Sequence, residues 1–171
     1  RLLFLLSSPA GLSGDAFGYV AVAQTLIDSG ELPDLGMQPH GYPLLIAPLL
    51  AMGLDVSRAM LIMNALMDCS IVALLFWIAG SILPEQMDRS PRFLCWLLAA
   101  IQPFSAEMVS SVYTETPTMF FVFVGVWLIF IQKNVFGRIM GFVFLGIASL
   151  LRIDILVLNI VAIIAALALL R

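Results

Sequence analysis

The stretch "AMLIMNALMDCSIVALLFWIAGSI", residues 59–82, decides the fold class of this chain. Its one charged residue is Asp68. A helix needs roughly 20 mainly apolar residues to cross the hydrocarbon core of a bilayer. The stretch is therefore predicted to be a transmembrane helix.

The composition of the whole chain points the same way. Of its 171 residues, 62% are hydrophobic and 11% charged, and the mean hydropathy is +1.08. About a quarter of the residues of a soluble domain are charged. The composition excludes a water-soluble globule and predicts an all-α, polytopic transmembrane helical bundle. The lipid bilayer is thus an expected partner, and no nucleic acid is expected.

Four further segments are predicted to span the membrane, the last two at the short end of the usual length: 93–109, 117–132, 138–151 and 155–170. The last two are separated by "RID", residues 152–154. The alternative is one continuous helix over 138–170. That helix would hold Arg152 and Asp154 at mid-membrane depth, which is energetically costly, so a chain reversal is predicted there.

Two apolar pieces are too short to span. Residues 1–8 are predicted to be the outer end of a first span, and we expect the rest of a longer protein beyond the 171 residues. Residues 43–54 contain Pro43 and Pro48 and are predicted to be a re-entrant or interfacial segment.

The first outer loop, residues 9–42, is predicted to contain a juxtamembrane amphipathic helix. Ser13 or Asp15 is its candidate N-cap and Gly30 its candidate end. Such a helix would lie flat on the membrane surface. Its predicted apolar stripe has helical spacing: Tyr19, Val20, Ala23, Leu26 and Ile27.

The basic residues indicate which side of the membrane each loop occupies. If the segments alternate, six lie on one side: Arg1, Arg89, Arg92, Lys133, Arg138 and Arg171. Only Arg58 and Arg152 lie on the other. By the positive-inside rule the first side is cytoplasmic. The acidic side, with Asp15 and Glu115, is therefore predicted to face away from the cytoplasm. A bacterial inner membrane or its equivalent is the expected location.

The order of several short motifs resembles a known superfamily. The chain has "GDAFGYVAVAQTLIDSGELP" from residue 14, "PHGYPLLIAPL" from 39, "YTET" from 113 and "GRIMGFVFLGIASLLR" ending at Arg152. This pattern resembles the N-terminal membrane module of the GT-C glycosyltransferases, and within them the protein mannosyltransferase and aminoarabinose transferase branch. The resemblance implies transfer of a sugar from a polyprenyl-phosphate donor to an acceptor on the extracytoplasmic face.

Asp15 and Glu115 are the candidate catalytic residues. An inverting transfer needs a carboxylate that takes the proton of the attacking hydroxyl, and Asp15 matches the family's first-loop acid. The structural alternative for Asp15 is an N-cap. Glu115 matches the acid of the second outer loop, which helps to bind the acceptor or a metal. Its alternative is an exposed cap of the next span.

Arg152 is the candidate contact for the departing phosphate, because a guanidinium binds phosphate through two parallel hydrogen bonds. A local pair with Asp154, or a contact with lipid headgroups, is the alternative. Arg58 is a second candidate, or an interfacial anchor.

Three other residues are candidate substrate contacts. His40 is expected to stabilise a turn or touch substrate. A divalent metal held by His40 with Glu31 or Glu115 has no support from ligand spacing. Tyr19 and Tyr42 are expected to stack on a sugar or to lie in the aromatic belt of the membrane interface.

Two other functions stay open. Asn64 and Asp68 lie four apart on one helix face, as in a secondary transporter or flippase that uses Asp68 as an ion relay. No repeated half is visible to support that. The other possibility is that the chain is a non-catalytic, transferase-like subunit of a larger membrane assembly.

Cys69 and Cys95 have no metal-ligand spacing.

Overall fold

The computed structural model describes residues 15–33, 40–82, 93, 97, 114–132 and 134–169. These residues form helices and turns without a strand, which confirms the predicted all-α class. The helices, in chain order, are α1 (Asp15–Ser29), α2 (Gly41–Ala51), α3 (Val56–Ile82), α4 (Glu115–Phe130), α5 (Val135–Leu151) and α6 (Ile155–Leu169). The predicted end of a first span at 1–8 lies outside the described residues. So does the predicted span 93–109, apart from Phe93 and Leu97.

α3 is the helix that the opening stretch predicts. Among the described helices, one segment, Val56–Ser81, is long and apolar enough to cross a membrane. Gly41–Ala51, Glu115–Phe130 and Val135–Leu151 are apolar but shorter. The helices at 115–130 and 135–151 begin two or three residues before the predicted spans, because their first turns include polar or exposed residues that the apolar runs leave out.

α1 and α2 pack against each other through aromatic and small residues. α1 ends at Gly30, as predicted, where a φ of 73° suits glycine and the Gly30 N–H donates to the Leu26 carbonyl at 2.9 Å. The buried stripe of α1 consists of Ala16, Tyr19, Val22 and Ala23. Ile27, part of the predicted stripe, is 37% exposed. Much of the apolar face of α1 is therefore covered by protein.

α4 and α5 form a tight hairpin. Asn134 caps α5 by accepting a hydrogen bond from the Gly137 N–H at 2.6 Å. Gly125 and Gly141 face each other where the helices cross, and a Cβ on Gly141 would lie 2.8 Å from the Gly125 carbonyl oxygen. Glycine at both positions allows the two backbones to approach closely.

The chain reverses between α5 and α6, as predicted, so the alternative of one continuous helix over 138–170 is wrong. α5 ends at Leu151 and α6 begins at Ile155. The Asn159 amide donates to the Leu145 carbonyl at 2.8 Å and contacts the Ser149 hydroxyl. Leu145 and Asn159 are each seven positions from Arg152 in the sequence. These bonds therefore join α5 and α6 at the same distance from the turn and hold the two helices side by side.

Candidate functional site

Three helix ends meet at one place in the molecule. They are the first residues of α2 and α4 and the turn at 152–154 after α5. Gly41 brings the start of α2 against the end of α5: a Cβ at Gly41 would lie 2.5 Å from the Leu150 carbonyl oxygen and 2.9 Å from the Leu151 nitrogen. Because the start of α2 touches the end of α5 so closely, Tyr42 lies beside the turn that carries Arg152.

Arg152 is the centre of the polar cluster at this junction. Its Nη1 donates to Glu115 Oε1 at 2.6 Å, across 37 positions of sequence. Its Nε and Nη2 donate to the two carboxylate oxygens of Asp154, at 3.1 and 3.0 Å. The guanidinium therefore joins the start of α4 to the turn before α6.

The cluster has one cation and two anions and stays partly open to solvent. The side chains of Arg152, Glu115 and Asp154 are 35%, 42% and 60% exposed. Hydrogen bonding to Asp154, joined by the charges of both acids, raises the pKa of Arg152. The same bond to Arg152 lowers the pKa of Asp154. Both groups are thus ionised at neutral pH.

Glu115 keeps one oxygen for a further partner. Oε1 accepts from Arg152. Oε2 is shielded from solvent and has no hydrogen-bond donor among the residues that the structure describes. A buried acceptor without a donor is uncommon in native structures. This oxygen is suited to accept a hydrogen bond from a hydroxyl that enters the site.

Tyr42 closes the inner side of the cluster. It is fully buried, and its ring meets that of Tyr19 edge-on, with centroids 5.2 Å apart. Burial raises the pKa of Tyr42 well above its ordinary value, with smaller upward contributions from Tyr19 and Glu115, whereas the neighbouring Asn64 side chain lowers it. The phenol therefore stays protonated.

The structure shows no contact between the cluster and the other predicted site residues that it describes. Asp15 is the first residue of α1, one helical turn before Tyr19 on the same helix face; nothing further is described for its side chain. The Nε2 of His40 lies 3.2 Å from the Pro33 carbonyl oxygen, a contact that joins the loop after α1 to the start of α2. Arg58 is exposed in the first turn of α3. Tyr113 and Ser13 lie outside the described residues.

Two polar residues of α3 are buried in the helix bundle. Asn64 is 1% exposed and Asp68 5% exposed, so both face the interior of the bundle. Asn64 is next to Tyr42, and Asp68 lies one turn further along α3. Sequence reasoning singled out this pair but did not connect it with Tyr42, because only the packing of α2 on α3 brings them together.

An open apolar groove of about 400 Å³ lies between α3 and α4. Its walls are almost entirely apolar: Ser70, Ala73, Leu74, Trp77, Phe120, Val124 and Trp127. Phe120 is five residues after Glu115, or about 7–8 Å along the helix axis. The groove therefore begins a short distance from the polar cluster.

Among the described residues, no group of three or more His, Cys, Asp or Glu side chains is arranged to hold a metal ion. Glu115 and Asp154 both bind Arg152.

One residue of the α5–α6 turn region was missed by sequence reasoning. Asn159 is polar within the apolar run "ILVLNIVAIIAALAL", and such a residue usually forms a hydrogen bond to a neighbouring helix. That signal would have predicted the bond to α5 that orients the turn carrying Arg152.

The comparisons with known proteins give no further information about this site. No protein family, curated protein or solved structure matches the chain.

Proposed function

We propose that this chain is part of a membrane-embedded glycosyltransferase of the GT-C type. It would transfer a sugar from a polyprenyl-phosphate carrier to an acceptor on the extracytoplasmic face. The observation that carries the proposal is the contact between Glu115 and Arg152 at the meeting point of three helix ends. A carboxylate and a guanidinium beside an apolar groove suit a ligand with a hydroxyl, a phosphate and a hydrocarbon chain.

In the proposed reaction, Asp15 is the general base. Its carboxylate takes the proton of the acceptor hydroxyl while the hydroxyl oxygen attacks the anomeric carbon of the donor. The bond between that carbon and the phosphate oxygen breaks, and the polyprenyl phosphate leaves with the electron pair. Asp15 lies one turn before Tyr19, whose ring packs on Tyr42, and this register supports a position near the cluster.

Arg152 and Glu115 have complementary roles in the proposal. The guanidinium stabilises the negative charge that develops on the departing phosphate. Glu115 Oε2, which has no donor among the described residues, accepts a hydrogen bond from a second hydroxyl of the bound substrate and so orients the substrate for attack. The Glu115–Arg152 bond keeps these two groups at a fixed separation, which favours an aligned attack.

The groove between α3 and α4 would hold the isoprenoid chain of the donor. Its apolar walls match a hydrocarbon, and one of its lining residues, Phe120, is five residues after Glu115 on α4. α4 has 16 residues, about 24 Å, which is less than the roughly 30 Å of a bilayer core. A span this short supports a site that headgroup phosphates reach from the membrane surface.

The orientation of the site is also part of the proposal. Arg138 is near the start of α5, at the opposite end from Arg152. By the positive-inside rule, the majority of basic residues, Arg138 among them, would be cytoplasmic. The Glu115–Arg152 cluster would then face the extracytoplasmic side.

The experiment is a transfer assay on the full-length protein in lipid vesicles, with a polyprenyl-phosphate sugar as donor. We expect Asp15→Asn to insert into the membrane normally but to lose at least about 100-fold of the transfer rate, the scale of general-base catalysis. Asp28→Asn is the matched control, because Asp28 is an exposed acid of the same helix that bonds to Gln24. Full activity of Asp15→Asn would refute the assigned base.

A second candidate function rests on the burial of Asp68. A carboxyl group that is 5% exposed in a helix long enough to cross a membrane is the kind of residue that relays ions in transporters. Proton-coupled uptake into vesicles separates the two functions. Uptake that Asp68→Asn abolishes and Asp15→Asn leaves intact would favour a transporter, and sugar transfer with the opposite sensitivity would favour the glycosyltransferase.

A further inference from the structure

The Arg152–Asp154 pair has the geometry that an arginine uses for a bound phosphate. Two parallel hydrogen bonds run from Nε and Nη2 to Oδ1 and Oδ2, at 3.1 and 3.0 Å. Arginine binds phosphate and carboxylate through this same fork of two donors. The third donor, Nη1, is engaged separately by Glu115. Asp154 therefore occupies the Nε–Nη2 edge of the guanidinium, whereas Glu115 holds Nη1 through a single bond.

We infer that Asp154 is a specificity-determining residue of this site, whose carboxylate holds the edge of Arg152 that the phosphate of the ligand takes over. The inference rests on the proposed function. A ligand displaces Asp154 only if it presents two anionic oxygens in a matching fork. A neutral hydroxyl cannot replace a carboxylate in this way, because it brings no charge and a single acceptor. Asp154 thus selects phosphate-bearing ligands over neutral sugars.

The exchange is feasible because the pair is exposed. The Asp154 side chain is 60% exposed, and ion pairs between solvent-exposed groups are weak. Glu115 is less exposed, at 42%, and comes from a separate helix. When a phosphate arrives, Asp154 is the partner that gives way, and the Glu115 bond keeps the guanidinium in position.

The displaced carboxylate remains in a favourable position. Asp154 directly precedes α6, and the N-terminus of a helix favours a nearby carboxylate. Only the side chain of Arg152 needs to exchange partners, and α6 need not move. The alternative is that Asp154 only caps the start of α6 and has no role in selecting the ligand.

Asp154→Asn separates the two roles, because asparagine caps a helix as well as aspartate does but has no charge to hold the guanidinium. The matched control is Asp55→Asn. Asp55 is likewise an exposed aspartate directly before a helix, and its carbonyl accepts from the Ala59 N–H at 2.8 Å.

The measurement is binding of a short-chain prenyl monophosphate to the full-length protein in nanodiscs, by titration calorimetry, with inorganic phosphate as a second ligand. We expect Asp154→Asn to bind the prenyl phosphate about three- to tenfold more tightly than the wild type. The reason is that the variant no longer has to break the exposed Arg152–Asp154 ion pair, and its residue 154 does not repel the phosphate. Asp55→Asn should bind as the wild type does. Tighter binding of both ligands would support a site for phosphate itself, and tightening confined to the prenyl ligand would support a lipid source.

Equal or weaker binding by Asp154→Asn, with Arg152→Gln still impaired, would overturn the inference and leave the proposed function standing. Wild-type binding by Arg152→Gln would instead remove Arg152 from the phosphate site. That result would contradict the role of Arg152 in the proposed function as well.

Discussion

Gly41→Ala tests the close approach that builds the candidate site. A Cβ at this position would lie 2.5 Å from the Leu150 carbonyl oxygen and 2.9 Å from the Leu151 nitrogen. Real Cβ contacts are essentially never shorter than 3.0 Å. Both neighbours are backbone atoms, so a change of side-chain rotamer cannot relieve the clash. The start of α2 must therefore move away from α5 by about half an ångström or more.

The magnitude follows from the type of strain. Overpacking in a well-packed interior typically costs about 1–3 kcal/mol. For a chain of this size, 1 kcal/mol corresponds to about 2–4 °C in the midpoint of thermal unfolding. We expect Gly41→Ala to lower the unfolding midpoint by about 2–12 °C. The displacement also separates the start of α2 from the end of α5, which precedes Arg152, so the rate of the proposed transfer should fall at temperatures where the protein is still folded.

The assay is thermal unfolding in detergent, followed by circular dichroism, with Gly146→Ala as the control. Gly146 lies inside α5, and its Cβ would have no neighbour within 4 Å. Replacing this glycine should stabilise the helix by about 0.5–1 kcal/mol. The structure therefore predicts opposite signs for the two substitutions. An unchanged or raised midpoint for Gly41→Ala would refute the packing of α2 on α5.

Two further predictions concern the hairpin and the turn after it. Gly141→Ala should lower the unfolding midpoint by a similar few degrees, whereas Gly146→Ala in the same helix raises it. The reason is that the new methyl group at 141 would lie 2.6 Å from Ile129 Cγ1 and 2.8 Å from the Gly125 carbonyl oxygen; equal midpoints would contradict the close crossing of α4 and α5. The lowered pKa of Asp154 predicts a pH dependence: its stabilising contribution is present above the unfolded-state pKa near 4 and is lost as the pH falls through the lower folded-state value. Unfolding midpoints measured between pH 6 and pH 3 should therefore fall more steeply in the wild type than in Asp154→Asn, and parallel curves would exclude the Arg152–Asp154 bond.

The sequence was sufficient to predict the helices and one reversal of the chain. Long apolar runs interrupted by polar residues gave the existence and approximate ends of α3, α4, α5 and α6. The reversal at residues 152–154 followed from the energetic cost of holding Arg152 and Asp154 in hydrocarbon. These features depend on local composition, which a single sequence contains.

The contacts between helices were harder to predict. The approach of Gly41 to Leu150 depends on the placement of two backbones, and no periodic pattern specifies it. The Ile27 position was predicted as part of the apolar stripe, but α2 packs over the preceding two turns of α1 and leaves Ile27 exposed. Sequence reasoning assigned Glu115 and Arg152 to the same outer side, but the direct bond between them depends on the packing of α4 on α5.

The most direct test of the account is a double-mutant cycle on Glu115 and Arg152, read as the rate of sugar transfer from a polyprenyl-phosphate donor. Glu115→Gln and Arg152→Gln should each reduce the rate strongly. The double variant should lose little more than the worse single variant, because residues that act as a unit are not additive. Losses that multiply independently, or full activity in either single variant, would contradict a shared catalytic site.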